Sequence, residues 1–196
     1  MKRLIILCLC LISFMIEARE TIEQQEQWSI VKQDNWSKPR YILTVKHHDF
    51  EFSLLCAQDI QQLIFILDIF NTQQLDSYDL STDLHIKLFK EKTENIIFGT
   101  MFKNGKDSVS WTNNIYYSGF LKGYNKEKAK LLPILSQLFK QFLTASGDIT
   151  FTTQGEGDTV YQATINSDGL PTIFNHFAQY CGPDFIEAFD LAMDEK

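Results

Sequence analysis

Apolar and polar residues alternate along much of the first half of the chain, as is typical of half-buried β-strands. A short strand is predicted at residues 28–31. Residues 41–46 and 50–56 alternate on either side of His47-His48-Asp49, which predicts a β-hairpin with these three residues at its tip. Residues 60–70 are a mostly apolar run rich in Ile and Phe, and their length and β-branching favour a strand over a helix.

The same period of two continues further along the chain. Residues 84–89 alternate, which predicts another strand. Residues 96–103 and 108–112 flank Asn104-Gly105, a pair that tolerates positive φ and is a strong signal for a tight β-hairpin.

In the last third the hydrophobic period lengthens to three and four residues. Residues 131–143 predict an amphipathic helix that ends before Gly147. Residues 148–153 and 159–166 then predict a further hairpin, and a last helix follows Asp168-Gly169 and carries Cys181. Apolar residues from Phe185 onwards recur at helical spacing, which predicts a short third helix.

Strand runs that precede helix runs indicate an α+β fold. We expect a mostly antiparallel β-sheet of seven or eight strands, with two or three helices in the C-terminal half and one disulfide. The predicted organisation is a signal peptide at residues 1–18, a flexible lead-in at 19–27 and a single α+β domain at 28–196.

The N-terminus has the three-part layout of a secretory signal peptide. Met1-Lys2-Arg3 precedes an apolar run from Leu4 to Ile16, and Ala18 offers a small residue before the polar stretch that starts at Arg19. The run is shorter than the ~20 residues that span a bilayer. We therefore expect a periplasmic or secreted protein with no membrane insertion after processing. A membrane anchor or a buried core helix is the alternative.

Charge narrows the choice of partners. The formal net charge is −7, and removal of residues 1–18, which carry a net +1, leaves about −8. Nucleic acids and anionic lipid surfaces reward basic patches, so both are disfavoured as partners. The 16 Phe residues supply ample material for one core.

Two cysteines remain once the signal peptide is removed. Cys8 and Cys10 leave with it, and Cys56 and Cys181 form one even pair in an oxidising compartment. We predict a disulfide between them. The alternative is a pair of free buried thiols.

Known catalytic and cofactor motifs are missing from the sequence after residue 18. It contains no G-x-S-x-G, H-E-x-x-H, phosphate loop, dinucleotide fingerprint or C-x-x-C. We expect no cofactor and no metal. Adjacent histidines on a strand point to opposite faces and rarely chelate one ion together, so His47-His48-Asp49 is interpreted as a solvated turn. The alternative is a metal site, because at a hairpin tip both histidines could bind one ion with Asp49. His85 and His176 are isolated and are interpreted as surface residues.

Four aromatic residues lie in segments that are predicted to be loops. These candidate partner-binding residues are Trp36, Tyr116, Tyr117 and Phe120. Exposed aromatics in loops often mark protein contacts. The alternative is that they cover the sheet.

The C-terminal part runs strand, Gly-rich turn, strand, Gly, apolar helix and Cys, from Asp148-Ile149-Thr150-Phe151 to Tyr180-Cys181-Gly182. Earlier in the chain, Trp28-Ser29-Ile30-Val31 precedes a strand that ends in Cys, Phe52-Ser53-Leu54-Leu55-Cys56. This layout resembles small periplasmic proteins of Gram-negative bacteria, in particular type VI secretion accessory proteins of the TagO/VasI kind and, less closely, invasion-associated locus B proteins. Neither family implies a catalytic site.

We therefore expect a non-catalytic exported protein-binding module with no enzymatic activity, whose partner is another protein. A role as an accessory protein of type VI secretion or of the envelope is what the resemblance implies. The alternatives are a periplasmic immunity or inhibitor protein, and a small periplasmic hydrolase with an unrecognised carboxylate or His site.

Overall fold

The computed structural model describes residues 19–70, 82–88, 94–103, 108–116, 131–155 and 158–187. The predicted signal peptide lies outside these residues. Within them the chain forms one antiparallel sheet of ten strands in the order β1-β2-β3-β4-β5-β8-β7-β6-β9-β10. The strands are β1 Arg19–Gln25, β2 Trp28–Gln33, β3 Arg40–Lys46, β4 Phe50–Ala57, β5 Gln62–Phe70, β6 Thr82–Leu88, β7 Asn95–Lys103, β8 Ser108–Tyr116, β9 Asp148–Gly155 and β10 Asp158–Asn166.

The mostly antiparallel sheet is confirmed, but the expected number of seven or eight strands is wrong, since the described residues contain ten. One added strand is β1, which occupies most of the segment 19–27 that was predicted to be a flexible lead-in. Its composition is polar, yet it pairs with β2 from Arg19↔Gln33 to Gln25↔Trp28. An edge strand needs only backbone hydrogen bonds on one side, so the absence of hydrophobic alternation does not prevent it.

Strand β7 turns the sheet. Its first half, Asn95–Gly99, pairs with β6, and its second half, Thr100–Lys103, pairs with β8. The sheet therefore bends along β7 and its two halves face each other. The rings of Phe52 on β4 and Phe151 on β9 stack with centroids 4.5 Å apart across this inner space.

Two helices cover the inner face of the sheet. Helix α1 spans Leu131–Thr144 and helix α2 spans Leu170–Cys181, and residues 183–187 begin a third helix, as predicted for this half of the chain. The two main helices contact each other, α2 contacts β1 to β3, and α1 contacts β7. Buried side chains from both helices and nearly every strand form one hydrophobic core, with Trp28 and Trp111 among its largest members.

The outer face of the sheet carries a second, smaller apolar cluster. Ile42, Leu55 and Ala57 form it, with Val31 and Ile64 packed against them. Val31, Ile42, Leu55 and Ile64 are directly paired across β2, β3, β4 and β5. In this cross-strand row, both faces of this half of the sheet are therefore apolar. This explains why apolar and polar residues do not alternate strictly over residues 50–70.

Candidate functional site

Trp36 is the one predicted partner-binding residue whose side chain the structure describes. It lies in the turn between β2 and β3 and is 45% exposed. The guanidinium carbon of Arg40 lies 3.4 Å from the centroid of its ring. Arg40 Nε and Nη2 also donate hydrogen bonds to the Asp59 carboxylate at 3.3 and 3.1 Å. This hydrogen bonding holds the pKa of Asp59 below its ordinary value.

Of the other three predicted contact residues, the structure describes only the backbone of Tyr116. Tyr116 is the last residue of β8, so it belongs to a strand and not to the predicted loop. The structure does not describe its side chain. Tyr117 and Phe120 lie outside the described residues. A partner-binding role for these three residues therefore stays a prediction.

A different group of exposed apolar side chains lies on strand β7. Phe98 is 62% exposed and Phe102 is 43% exposed. Residues at even spacing along a strand share one face, so Ile96, Phe98 and Phe102 all point outward. We call these three residues the aromatic strip. The sequence did contain a signal for it: the segment NIIFGTMFK is apolar at both alternating sets of positions.

Beside the strip, the outer face of β6, β9 and β10 forms a concave, polar groove of about 370 Å³. We call it the polar groove. Ile96 of the strip pairs directly with His85 in the groove, and Phe98 pairs with Asp83 at its edge. The strip and the groove are thus one continuous surface. The groove is lined by His85, Lys87, Glu94, Asp148, Thr150, Thr152, Gln162 and Thr164.

The groove gathers ionisable groups that are distant in the sequence. His85 Nδ1 lies 3.0 Å from Glu94 Oε2, and Lys87 Nζ lies 3.9 Å from Glu94 Oε1. The His85 side chain is only 12% exposed, so it is not the open surface residue that the sequence suggested. Glu94 can orient the imidazole through Nδ1, which is the arrangement that a general base requires.

Hydroxyl groups form the floor of the groove. The Oγ1 atoms of Thr150 and Thr164 lie 3.1 Å apart in a cross-strand hydrogen bond. Thr152 pairs with His85 on one side and Gln162 on the other. The floor therefore offers hydrogen-bond donors and acceptors to a polar ligand or to a peptide backbone.

Cys56 and Cys181 are brought together as predicted. They lie 2.5 Å apart in near contact, both buried, and both are free thiols in the structure. Burial, together with a hydrogen bond to Cys56, raises the pKa of the Cys181 thiol well above its ordinary value. The predicted disulfide bond itself is not shown.

His47, His48 and Asp49 form the turn between β3 and β4. One potential ligand atom from each residue lies within 4.8 Å of the others. The turn position is as predicted, and because neither histidine belongs to a strand, the two rings lie side by side, as the metal-site alternative requires.

Comparison of the chain with protein-family models, curated proteins and solved structures finds no match. Among the residues that the structure describes, no helix has the length and apolar character needed to cross a membrane.

Proposed function

We propose that this protein is an exported, non-catalytic protein-binding module, and that the aromatic strip with the adjoining polar groove contacts the partner. The observation that carries the proposal is the exposure of Phe98 and Phe102 on one face of β7, at 62% and 43%. Burying a Phe side chain is worth roughly 1.5–3 kcal/mol, so a partner that covers both rings gains substantial free energy.

The strip is suited to act as an anchor because its backbone is ordered before binding. Strand β7 pairs with β6 through its first half and with β8 through its second. The side-chain amide of Asn113 donates a further hydrogen bond to the Phe98 carbonyl. Rigid aromatic anchors lose little conformational entropy on binding, which is why a few of them dominate many interfaces.

Charge near the strip indicates the chemistry of the partner. Asp83 pairs with Phe98 across β6 and β7, and Asp68 lies on β5 on the same outer face, two strands from Phe102. The part of the chain after residue 18 carries about −8. The surface therefore fits a partner protein that has an apolar pocket surrounded by Lys or Arg. The acidic residues of this chain would also attract such a partner electrostatically towards the strip.

Two narrower roles are compatible with such a module. The resemblance to type VI secretion accessory proteins of the TagO/VasI kind supports a role in secretion or in the envelope. The acidic charge supports an immunity or inhibitor protein that covers a basic active site. We propose the accessory role first, because the resemblance covers the layout of both halves of the chain.

Export and the disulfide belong to the same proposal. The layout of residues 1–18 supports a periplasmic or secreted location. In that compartment the near contact of Cys56 and Cys181 favours a covalent bond, because two buried thiols at this separation need little movement to reach disulfide geometry.

A small periplasmic hydrolase is the second candidate, and the groove is what favours it. His85 and Glu94 form a hydrogen-bonded pair in a concave site that also contains Asp148. Such a pair could activate a water molecule. We rank this candidate lower because, among the described residues, the hydrogen-bond partner of His85 is the Glu94 carboxylate and not a nucleophilic hydroxyl.

The binding proposal is tested by matched surface variants. The untagged protein is cross-linked in its native compartment, the captured protein is identified and purified, and its affinity is measured for wild type, Phe98→Ser and Phe102→Ser. Ile60→Ser is the control, because Ile60 is as exposed as Phe102 but lies in the β4–β5 turn. We expect each Phe variant to lose ~2 kcal/mol of binding free energy or more.

The control should bind as wild type does. Equal affinity for all four proteins would show that the strip is not the contact surface. The hydrolase candidate is separated from this test by assaying peptidoglycan, peptide and ester substrates. Saturable turnover that His85→Gln and Glu94→Gln abolish, while Phe98→Ser retains it, would establish catalysis at the groove instead.

A further inference from the structure

The turn between β3 and β4 is held by backbone hydrogen bonds. The His47 N–H donates to the Phe50 carbonyl at 2.8 Å, which closes the turn. The Phe70 N–H donates to the Asp49 carbonyl at 2.8 Å, which ties the turn to the end of β5. The three side chains of residues 47–49 are therefore presented by a fixed backbone, although they are exposed.

The two imidazole rings are arranged side by side. The His47 ring stacks on Phe50 with centroids 5.5 Å apart and an interplanar angle of 28°. The His48 ring lies 4.0 Å from the His47 ring, and His47 Nε2 is 3.2 Å from His48 Nδ1. Two ligand nitrogens at ~2.0–2.1 Å from a tetrahedral zinc ion are about 3.3 Å apart, so this separation matches a chelating pair.

A third ligand is available in the same turn. Asp49 Oδ2 lies 2.6 Å from His48 Nε2, the ring nitrogen that does not face His47, and one ligand atom from each of the three residues lies within 4.8 Å of the others. Because the carboxylate is on the solvent side, it can rotate towards the ion without disturbing the core. Lys46, the residue before the turn, lies 3.6 Å from Glu51 Oε2, and this ion pair offsets its charge.

We propose that His47, His48 and Asp49 bind one divalent transition-metal ion of the zinc class, with a fourth position open to water or to a partner's ligand. Two imidazole nitrogens and one carboxylate oxygen are the donors that such ions accept. Mg²⁺ and Ca²⁺ prefer oxygen donors and should not compete. The site stands apart from the aromatic strip, so the proposal does not depend on the proposed function.

The test is titration of the untagged protein, expressed from the full sequence, with zinc chloride by calorimetry. We expect one zinc ion per chain. Removal of a residue that only hydrogen-bonds a metal ligand commonly lowers metal affinity about 10–100-fold. Removal of a ligand itself should cost at least as much, so His47→Ala and His48→Ala should each lower zinc affinity at least about tenfold. Asp49→Asn should lower it less, and a large excess of Mg²⁺ or Ca²⁺ should leave zinc binding unchanged.

The matched control is His176→Ala, since His176 is also exposed and also contacts a carboxylate, that of Glu23, but has no second histidine beside it. This variant should bind zinc as wild type does. Because residues 47–49 are exposed, the variants should fold, and circular dichroism checks this. Absence of saturable binding at millimolar zinc would overturn the proposal. So would a zinc affinity of His47→Ala and His48→Ala equal to that of wild type.

Discussion

Gly99 on β7 faces the indole ring of Trp111 on β8 so closely that a Cβ atom at position 99 would overlap the ring. Trp111 is fully buried in the core. Gly99 is also the last residue of β7 that pairs with β6, and Thr100 is the first that pairs with β8. The bend that brings the two halves of the sheet together therefore depends on a position without a side chain.

This contact predicts that Gly99→Ala is destabilising. The added methyl group must displace either the indole ring or the strand, and overpacking of this kind typically costs ~1–3 kcal/mol. Chemical denaturation measures the change. Thr100→Ala is the control, because Thr100 points outward and is exposed. A stability equal to that of wild type in Gly99→Ala would mean that the bend does not need this close approach.

The near contact of Cys56 and Cys181 predicts a disulfide in the exported protein. The bond would close a loop of 125 residues, counted from Cys56 to Cys181, and breaking it should cost about 2–5 kcal/mol. Mass spectrometry of the unreduced protein after alkylation under denaturing conditions should show no alkylated cysteine. Thermal melting of Cys181→Ser, and of wild type with reductant, should show the same loss of stability. Quantitative alkylation without reductant would contradict the prediction.

The Arg40–Asp59 contact predicts an acid-dependent loss of stability. Hydrogen bonding from Arg40 lowers the folded-state pKa of Asp59 below the unfolded value of about 3.9. A lowered carboxyl pKa stabilises the fold above the unfolded pKa, and this contribution is lost as the pH falls through the folded pKa. Hydrogen bonds to charged groups are worth about 1.5–3 kcal/mol, so Asp59→Asn should be less stable than wild type at pH ~7 by about this amount. Below pH ~4 the difference should shrink; a difference independent of pH would contradict this account.

Trp36 remains a candidate anchor, and its contacts allow a specific prediction. Its ring lies under the Arg40 guanidinium. Arg40 and Ile42 are two residues apart on β3 and share a face of the sheet, so the ring lies on the same outer face as Ile42. Trp36→Ala should cost only ~0.5–1 kcal/mol of stability, the usual worth of an exposed cation–π contact. If Trp36 contacts the partner, Trp36→Ala should also lose ~2 kcal/mol of binding free energy, measured with the partner protein captured by cross-linking. A large loss of stability would assign Trp36 to the fold instead.

Export predicts a defined N-terminus. The mature protein should begin at or near Arg19 and be found outside the cytoplasm, because Lys2 and Arg3, the apolar run and Ala18 together have the layout of a signal peptide. Edman sequencing or top-down mass spectrometry of the protein from the periplasm or medium measures this. An intact Met1 on protein recovered from the cytoplasm would exclude the prediction.

Local patterns in the sequence were enough to predict most elements. Period-two alternation located β3 and β4 and their turn, and it located β7 and β8 on either side of Asn104-Gly105, which lie outside the described residues. Spacing of three and four residues located both main helices, because periodicity reports directly which side of an element faces apolar surroundings. Elimination of Cys8 and Cys10 was enough to pair Cys56 with Cys181, which the structure places in near contact.

Only the tertiary structure decided where side chains from different elements meet. Strand β1 was missed because an edge strand is specified by backbone pairing, which leaves no hydrophobic pattern. The polar groove assembles His85 from β6, Glu94 from just before β7 and Asp148 from β9, and their sequence separations carry no distance information. Likewise, the sequence placed His47 and His48 at a hairpin tip but left open whether their rings meet, and the end of β3 at Lys46 brings both rings together. The sequence determines which residues can form these surfaces, but the bend of β7 and the register of the pairing strands determine which of them become neighbours.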